Sequence, residues 1–392
     1  MIFRGRQLSE ITQQDLQRLV DEQVQERDTL EYKSTMYGNA DDDKREMLKD
    51  ISSIANHRGG YLIIGVEADD EGIPTRLEGI ERGSHAERIQ GSCLDNADKR
   101  ILGLDVRDVQ LSSGKVSVIV SIPESVNAPH MVTFKGLNQF WKRHGRQKDK
   151  MTIDEIGEAF ERRLSNLNRL DRFLFTRKAE ALESIGDKAW MIIWASPAYL
   201  RDTDVFDIHD GSLREIMRNP SRPSNYGDIS CGQAYPTITG LRADNRSPYW
   251  EEDEEEVRRY LELFRNGYIE YAMSLAHKGE DPSFASIAHA AYIVNFVLFI
   301  EKVYSIYLPL TPLVLGFAIY NAKGMWLAAS RQVDKDKRVK WQRQHLELEK
   351  FYIENLATEA KLLAKRINDR IWQAFHREEA AVFDDKGNLL SR

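Results

Sequence analysis

The spacing of apolar and polar positions changes character at about residue 165. Ahead of it, Leu16, Leu19, Val20 and Val24 fall on one helical stripe, and Thr12 with Asp15 three positions on is a capping box that predicts its start. Ser9 is the alternative cap, with an incomplete box. Thr29–Lys33 reads as a short strand. Met47, Leu48, Ile51, Ile54 and Ala55 share one face of a helix predicted over 42–57. Asn56-His57-Arg58-Gly59-Gly60 stops it, since glycine reaches positive φ at little cost. Tyr61–Val66 is an almost unbroken apolar run, as in a strand buried on both faces. A turn over 67–72 and a polar helix around 84–99 come next. Strands Val106–Leu111 and Val116–Ile122 follow, joined through Ser112–Lys115. Asn138–Trp141 is a further strand that runs into the basic stretch Lys142–Lys150. Thr152 and Glu155 form a second capping box, opening a helix that continues toward Arg163.

Beyond that point the pattern is less regular. Trp190–Ala195 predicts a strand. Residues 211–255 are rich in Asn, Pro, Ser, Gly and acids, and Glu251–Glu256 is a run of six acidic residues. Acids favour helix N-termini, so the run predicts a solvated start to a helix carrying Val257, Tyr260, Leu261 and Leu263. Residues 284–308 read as a buried helix, and Pro312–Tyr320 with Gly324–Ala328 as a hairpin about Asn321–Gly324. A long amphipathic helix is predicted over 333–378, through Trp341, Leu346, Phe351, Ile353, Leu356, Leu363, Ile367, Ile371 and Phe375. The expected class is α+β: a mixed α/β domain over 1–165, then a mostly helical α+β domain over 166–392 that ends in the long helix. Regulation, sensing or dimerisation is the role expected of the second domain.

Composition narrows the chemistry. The chain has 392 residues, enough for two or three domains, and 55 Lys+Arg against 62 Asp+Glu give a net charge of -7. That balance excludes a generically basic nucleic-acid coat, so any contact with phosphates must come from a local patch. Cys93 and Cys231 are the only cysteines, too few for a disulfide framework or a four-cysteine zinc site. The N-terminus shows no apolar signal region. The apolar stretches 284–300 and 303–320 are interrupted by polar residues or prolines, which predicts a core rather than a membrane span. A cytoplasmic protein is expected.

Two stretches carry candidate chemistry. In the strand Thr29–Lys33, Glu31 and Lys33 point to one face and Leu30 and Tyr32 to the other. A carboxylate beside a lysine suits metal-assisted phosphodiester chemistry: the carboxylate holds Mg²⁺ or Mn²⁺ and the ammonium offsets charge on the phosphate. Glu26 is close enough in sequence to join them, and Glu67 and Asp69 follow the apolar strand. A surface ion pair is the plain alternative for Glu31 and Lys33. The second stretch, Trp141–Lys150, has five Lys/Arg and one Asp within 142–150. Lys142, Arg143, His144, Arg146 and Lys148 are its candidate RNA-binding residues, with a solvated turn as the alternative. Trp141 reads as core. His57, His85, His130 and both cysteines show no catalytic spacing.

Four pieces together resemble the Schlafen AlbA-type domain: Glu26–Lys33 (E-R-D-T-L-E-Y-K), Ser53–Val66 (S-I-A-N-H-R-G-G-Y-L-I-I-G-V), Ile122–His130 (I-P-E-S-V-N-A-P-H) and Trp141–Gly145 (W-K-R-H-G). The resemblance covers roughly residues 20–163, in the family's order. It implies metal-dependent cleavage of structured RNA, tRNA above all, by three acidic residues and a divalent cation. Glu26 and Glu31 correspond to the first two acids, and Glu67 or Asp69 to the third. Lys33 would stabilise the transition state. Animal Schlafens have two such lobes and a zinc site, whereas this chain has one lobe, so a homodimer or higher homo-oligomer is expected to rebuild the groove. No P-loop supports the nucleotide binding implied by the label "divergent AAA". By analogy, a bacterial chain of this design would serve antiphage defence.

Overall fold

The structure is a computed structural model that describes residues 3, 8–101, 103–125, 127–198, 200, 204–220, 227–245, 257–275, 283–307, 312–328, 339–353 and 356–390. It divides into two compact units, one built on Met1–Asn168 and the other on Arg169–Tyr307 with Leu313–Arg392.

In the first unit, α1 (Gln13–Asp21) begins at the Thr12 capping box, where Asp15 accepts from the Thr12 main-chain nitrogen at 2.8 Å. Next come β1 (Leu30–Lys33), α2 (Asp41–Ala55), β2 (Gly60–Ile64), and the small ribbon of β3 (Val66–Ala68) and β4 (Pro74–Leu77). Asp41, Asp42 and Asp43 fill the first turn of α2, where negative charge is favoured. After α3 (His85–Asn96) and β5 (Ala97–Asp98) come β6 (Asp105–Gln110), β7 (Val116–Ile122), β8 (Met131–Val132), β9 (Gln139–His144) and β10 (Gln147–Lys150). One sheet has the order β1-β2-β7-β6 and a second the order β10-β9-β8-β5. Strand β1 is parallel to β2, and the other pairings are antiparallel.

Side-chain alternation explains the apolar run in β2. Leu62 and Ile64 join Met47, Ile51 and Ile54 of α2 in one core. Tyr61 and Ile63 join Leu16 and Leu19 of α1 in another. With a helix on each face, both sets must be apolar. Gly59 (φ +67°) links α2 to β2, and a Cβ there would sit 2.6 Å from the Ile122 carbonyl oxygen. The glycine pair therefore serves close backbone approach.

Helix α4 (Ile153–Ile185) starts at the predicted Thr152–Glu155 box and contributes residues to both units. The second unit continues with β11 (Trp190–Pro197), α5 (Gly211–Arg218), β12 (Tyr235–Pro236), β13 (Gly240–Asp244), β14 (Arg259–Phe264) and β15 (Ile269–Ser274). Then come β16 (Ser283–Ala285), α6 (Ser286–Tyr307), β17 (Leu313–Tyr320), β18 (Trp326–Ala328), β19 (Leu346–Glu347), β20 (Phe351–Ile353) and α7 (Leu356–Ala374). An eight-stranded antiparallel sheet runs β12-β13-β14-β15-β11-β17-β19, with β20 also on β17.

The class is α+β, and the second unit holds more strand than the pattern predicted. Tyr260, Leu261 and Leu263 lie in a strand, β14, in which every residue after Arg259 is buried, Glu262 among them. The acidic run 251–256 lies outside the described residues. The hairpin does not form: β11 occupies one edge of β17 and β19 with β20 the other, so β18 pairs with β16 instead. The long helix is shorter than predicted, beginning at Leu356; Leu346, Phe351 and Ile353 sit on edge strands. Among the described residues, α6 alone is long and apolar enough to cross a membrane, and 61% of its most apolar window is buried inside the protein.

Candidate nucleic-acid interface

Strand β1 sets the geometry. Leu30 and Tyr32 enter the α1-side core, which turns Glu31 and Lys33 toward α2 and β9. Glu31 is 7% exposed. Its Oε1 lies 2.7 Å from Lys33 Nζ, and its Oε2 is in ion contact with Arg143 of β9. Arg143 is itself only 2% exposed and also reaches the Arg27 carbonyl at 3.4 Å. Burial pulls its guanidinium below the usual value, against the attraction of Glu26 and Asp28. Three carboxylates thus act on one buried arginine.

Lys33 continues the network, with Nζ 3.6 Å from Asp50 of α2. Asp50 is fully buried, accepts from the Tyr37 hydroxyl at 2.6 Å, and contacts Lys148 of β10, which also contacts Glu46. Burial works to raise the Glu46 carboxyl, but the Lys148 ammonium holds it below its ordinary value. Burial first, and Asp50 second, push the Tyr37 phenol well up. Sequence reasoning missed Asp50, although a carboxylate among Met47, Ile51 and Ile54 on the apolar face of a helix was a readable signal. It also missed Asn56, whose amide donates to the carbonyls of His130 at 3.0 Å and Trp141 at 2.9 Å and accepts from the His130 nitrogen at 2.6 Å. It passed over His57, which pairs with Asp28 at 2.8 Å.

The remaining acids go elsewhere. Glu26 accepts from the Tyr32 main-chain nitrogen at 2.7 Å, and its own nitrogen donates to Gly72. A Cβ on Gly72 would meet Arg146 Nη1 at 2.6 Å and Glu26 Oε2 at 2.8 Å, so these two side chains close over the glycine. Arg146 also donates to the Asp70 carbonyl at 3.0 Å. Asp69 caps its own turn, accepting from the nitrogens of Glu71 and Ile73. Glu67 faces Arg76 at 3.2 Å.

The fit to a divalent cation follows from these placements. Glu26 and Glu31 both act on Arg143, Glu67 faces Arg76 and Asp69 caps its own turn, and among the described residues no group of three or more His, Cys, Asp or Glu side chains is placed to hold a metal ion. As arranged, the donor set does not fit Mg²⁺ or Mn²⁺.

The predicted basic grip is corrected in two positions. Arg143 is core, and Lys148 is held by two carboxylates, so neither is a free phosphate contact. Lys142 and His144 lie 3.5 and 3.3 Å from Glu155, whose carboxyl is lowered chiefly by the Thr152 main-chain hydrogen bond. His144 and Arg146 remain exposed at the hairpin end. Trp141 is core, 8% exposed, as its pattern implied. Burial carries the thiols of Cys93 and Cys231 up to about 12, which leaves them inert.

Residues 26–152 match the family described as Schlafen, AlbA_2. Among solved structures, the chain is similar to the DIP2311 protein from Corynebacterium diphtheriae: 14% identity, 37% of this chain, 27% of that one, TM-score 0.27. It is also similar to the N-terminal domain of a putative ATP-dependent DNA helicase RecG-related protein from Nitrosomonas europaea, with 22% identity, 35% of this chain, 92% of that one and a TM-score of 0.24. The chain thus spans about a quarter of the first of these. No curated protein matches it.

Proposed function

Because residues 26–152 form a Schlafen AlbA-type domain, a nucleic-acid-binding and nuclease-like kind, we propose that the first unit binds structured RNA, tRNA-like in the first instance. One observation carries this reading: Arg146 and Glu26 close together over Gly72, which joins the β9–β10 hairpin and the Glu26–Lys33 segment into one polar surface. The exposed His144 and Arg146, with Lys142 beside Glu155, are the cationic side chains that surface offers. An A-form duplex is read through its shape and phosphates, so low sequence specificity is expected. The test is fluorescence anisotropy with total tRNA and with a DNA duplex of similar length, across a salt series. Salt-sensitive binding that favours RNA supports the proposal; binding of neither polymer overturns it.

Cleavage is the second reading; its support is the match of residues 26–152 to Schlafen, AlbA_2, while the Glu31 carboxylate itself is held by the buried Arg143. Incubation of tRNA with Mn²⁺, with and without EDTA and beside Glu31→Ala, separates the two readings. Nicking that needs the metal and Glu31 makes the domain an endoribonuclease; retained binding without nicking leaves a holder of RNA. A cytoplasmic, homo-oligomeric chain in which the second unit senses infection and the first acts on tRNA would suit antiphage defence.

A further inference from the structure

The charged cluster around Glu31 is assembled from four elements of the first unit. Glu31 and Lys33 leave β1 on the side away from Leu30 and Tyr32. On α2, Glu46 has Lys49 three positions on and Asp50 four positions on, so the three lie along one side of the helix. Arg143 and Lys148 are directly opposite in the β9–β10 register, which sends both side chains to one face of that hairpin. Two cations therefore arrive together from a hairpin and meet acids from a strand and a helix.

The pairing is complete atom by atom. Glu31 Oε1 faces Lys33 Nζ at 2.7 Å, and Oε2 faces Arg143. Asp50 Oδ1 faces Lys148, while Oδ2 accepts from the Tyr37 hydroxyl at 2.6 Å with Lys33 Nζ 3.6 Å away. Glu46 Oε1 faces Lys148, and Oε2 faces Lys49 Nζ at 3.5 Å. Every oxygen of these three carboxylates thus has a cation or a hydroxyl against it, and four cations answer three acids. Burial makes that balance matter. Glu31, Asp50 and Arg143 are all buried, and a buried charge without its partner is costly. Mg²⁺ and Mn²⁺ are held by oxygen ligands, so an incoming ion would have to strip these oxygens of their present donors. It would also add positive charge where cations already match the acids. Arg143 is the centre of the arrangement, since Glu26 and Asp28 act on it along with Glu31. Its guanidinium occupies the point on which three carboxylates act.

We propose that Arg143, with Lys33 and Lys148, stands in the place of a divalent cation: these carboxylates are closed to Mg²⁺ and Mn²⁺, and open to them when a counter-cation is removed. The inference goes beyond the RNA-binding reading, which needs no metal, and its test uses no RNA. Thermal unfolding of the full chain is followed in EDTA, in Mg²⁺ and in Mn²⁺, and bound Mn²⁺ is counted from the loss of the free-ion electron paramagnetic resonance signal. The parent chain should bind no Mn²⁺ that Glu31→Gln removes. Arg143→Ala should bind about one Mn²⁺ per chain and gain about 5 °C in Tm from it, the shift expected of a ligand at about 100 times its Kd. Adding Glu31→Gln to that variant should abolish both effects. Lys33→Met uncovers the other Glu31 oxygen at a side chain that is 32% exposed, should gain Mn²⁺ binding in the same way, and decides the matter if Arg143→Ala does not fold. The proposal is overturned if the parent chain binds Mn²⁺ through Glu31, or if neither variant gains Mn²⁺ binding that Glu31→Gln removes.

Discussion

Glu31 and Arg143 show how much a single side chain's role depends on what surrounds it. Alternation along β1 placed Glu31 beside Lys33, and that pair is present at 2.7 Å. What alternation could not supply is the buried guanidinium on the other carboxylate oxygen, brought in from β9. Removing one partner of a buried ion pair strands the other, so Arg143→Ala should lower the unfolding free energy by about 3–5 kcal/mol, measured by urea denaturation. The double variant Arg143→Met with Glu31→Gln should recover much of that loss. His130 gives a pH-dependent counterpart. It is fully buried, and burial drops its pKa from 6.5 to about 4. The unfolded imidazole takes a proton as pH falls below about 6.5 while the folded one resists it until about pH 4. The stability it supports is thus whole at neutral pH and lost across that window, at about 3 kcal/mol. Chemical denaturation at pH 7 and pH 4 should show this loss, and His130→Asn should reduce it.

At the level of elements, the two helices flanking β2 were legible because each presents its own apolar stripe, and because β2 is apolar on both faces. Their attachment was less so. Asn56 joins the end of α2 to the segment before β8 and to β9 through three hydrogen bonds, all of them buried. Asn56→Ala should cost about 2–4 kcal/mol, since two carbonyls and one N–H lose their partner away from water. Thr152→Ala, by contrast, removes an exposed cap of α4 and should cost about 1 kcal/mol. Thermal unfolding of the two variants should rank them in that order. Strands β14, β19 and β20 escaped the sequence pattern for a shared reason. Short apolar runs carry too few residues to show a period, and whether they become helix or strand depends on the neighbour that covers them.

For the whole molecule, the sharpest expectation separates surface cations from internal ones. Replacing Arg146 and His144 by Ala should reduce the salt slope of RNA binding by about one unit per lost phosphate contact, with Tm unchanged. Lys148→Ala should instead lower Tm, because that lysine sits between Glu46 and a buried Asp50. An unchanged salt slope in the first variant would remove the hairpin from the interface. The sequence by itself determined the α+β class, the helix starts at Thr12 and Thr152, the buried strand β2 and the family resemblance, all of which rest on residues close together in the chain. Only the tertiary structure decided which charges meet. A carboxylate is a metal ligand, a salt-bridge partner or a turn cap according to what lies within a few ångströms: Asp69 finds its partners in its own turn, but the arginines beside Glu31 and Glu67 come from other strands.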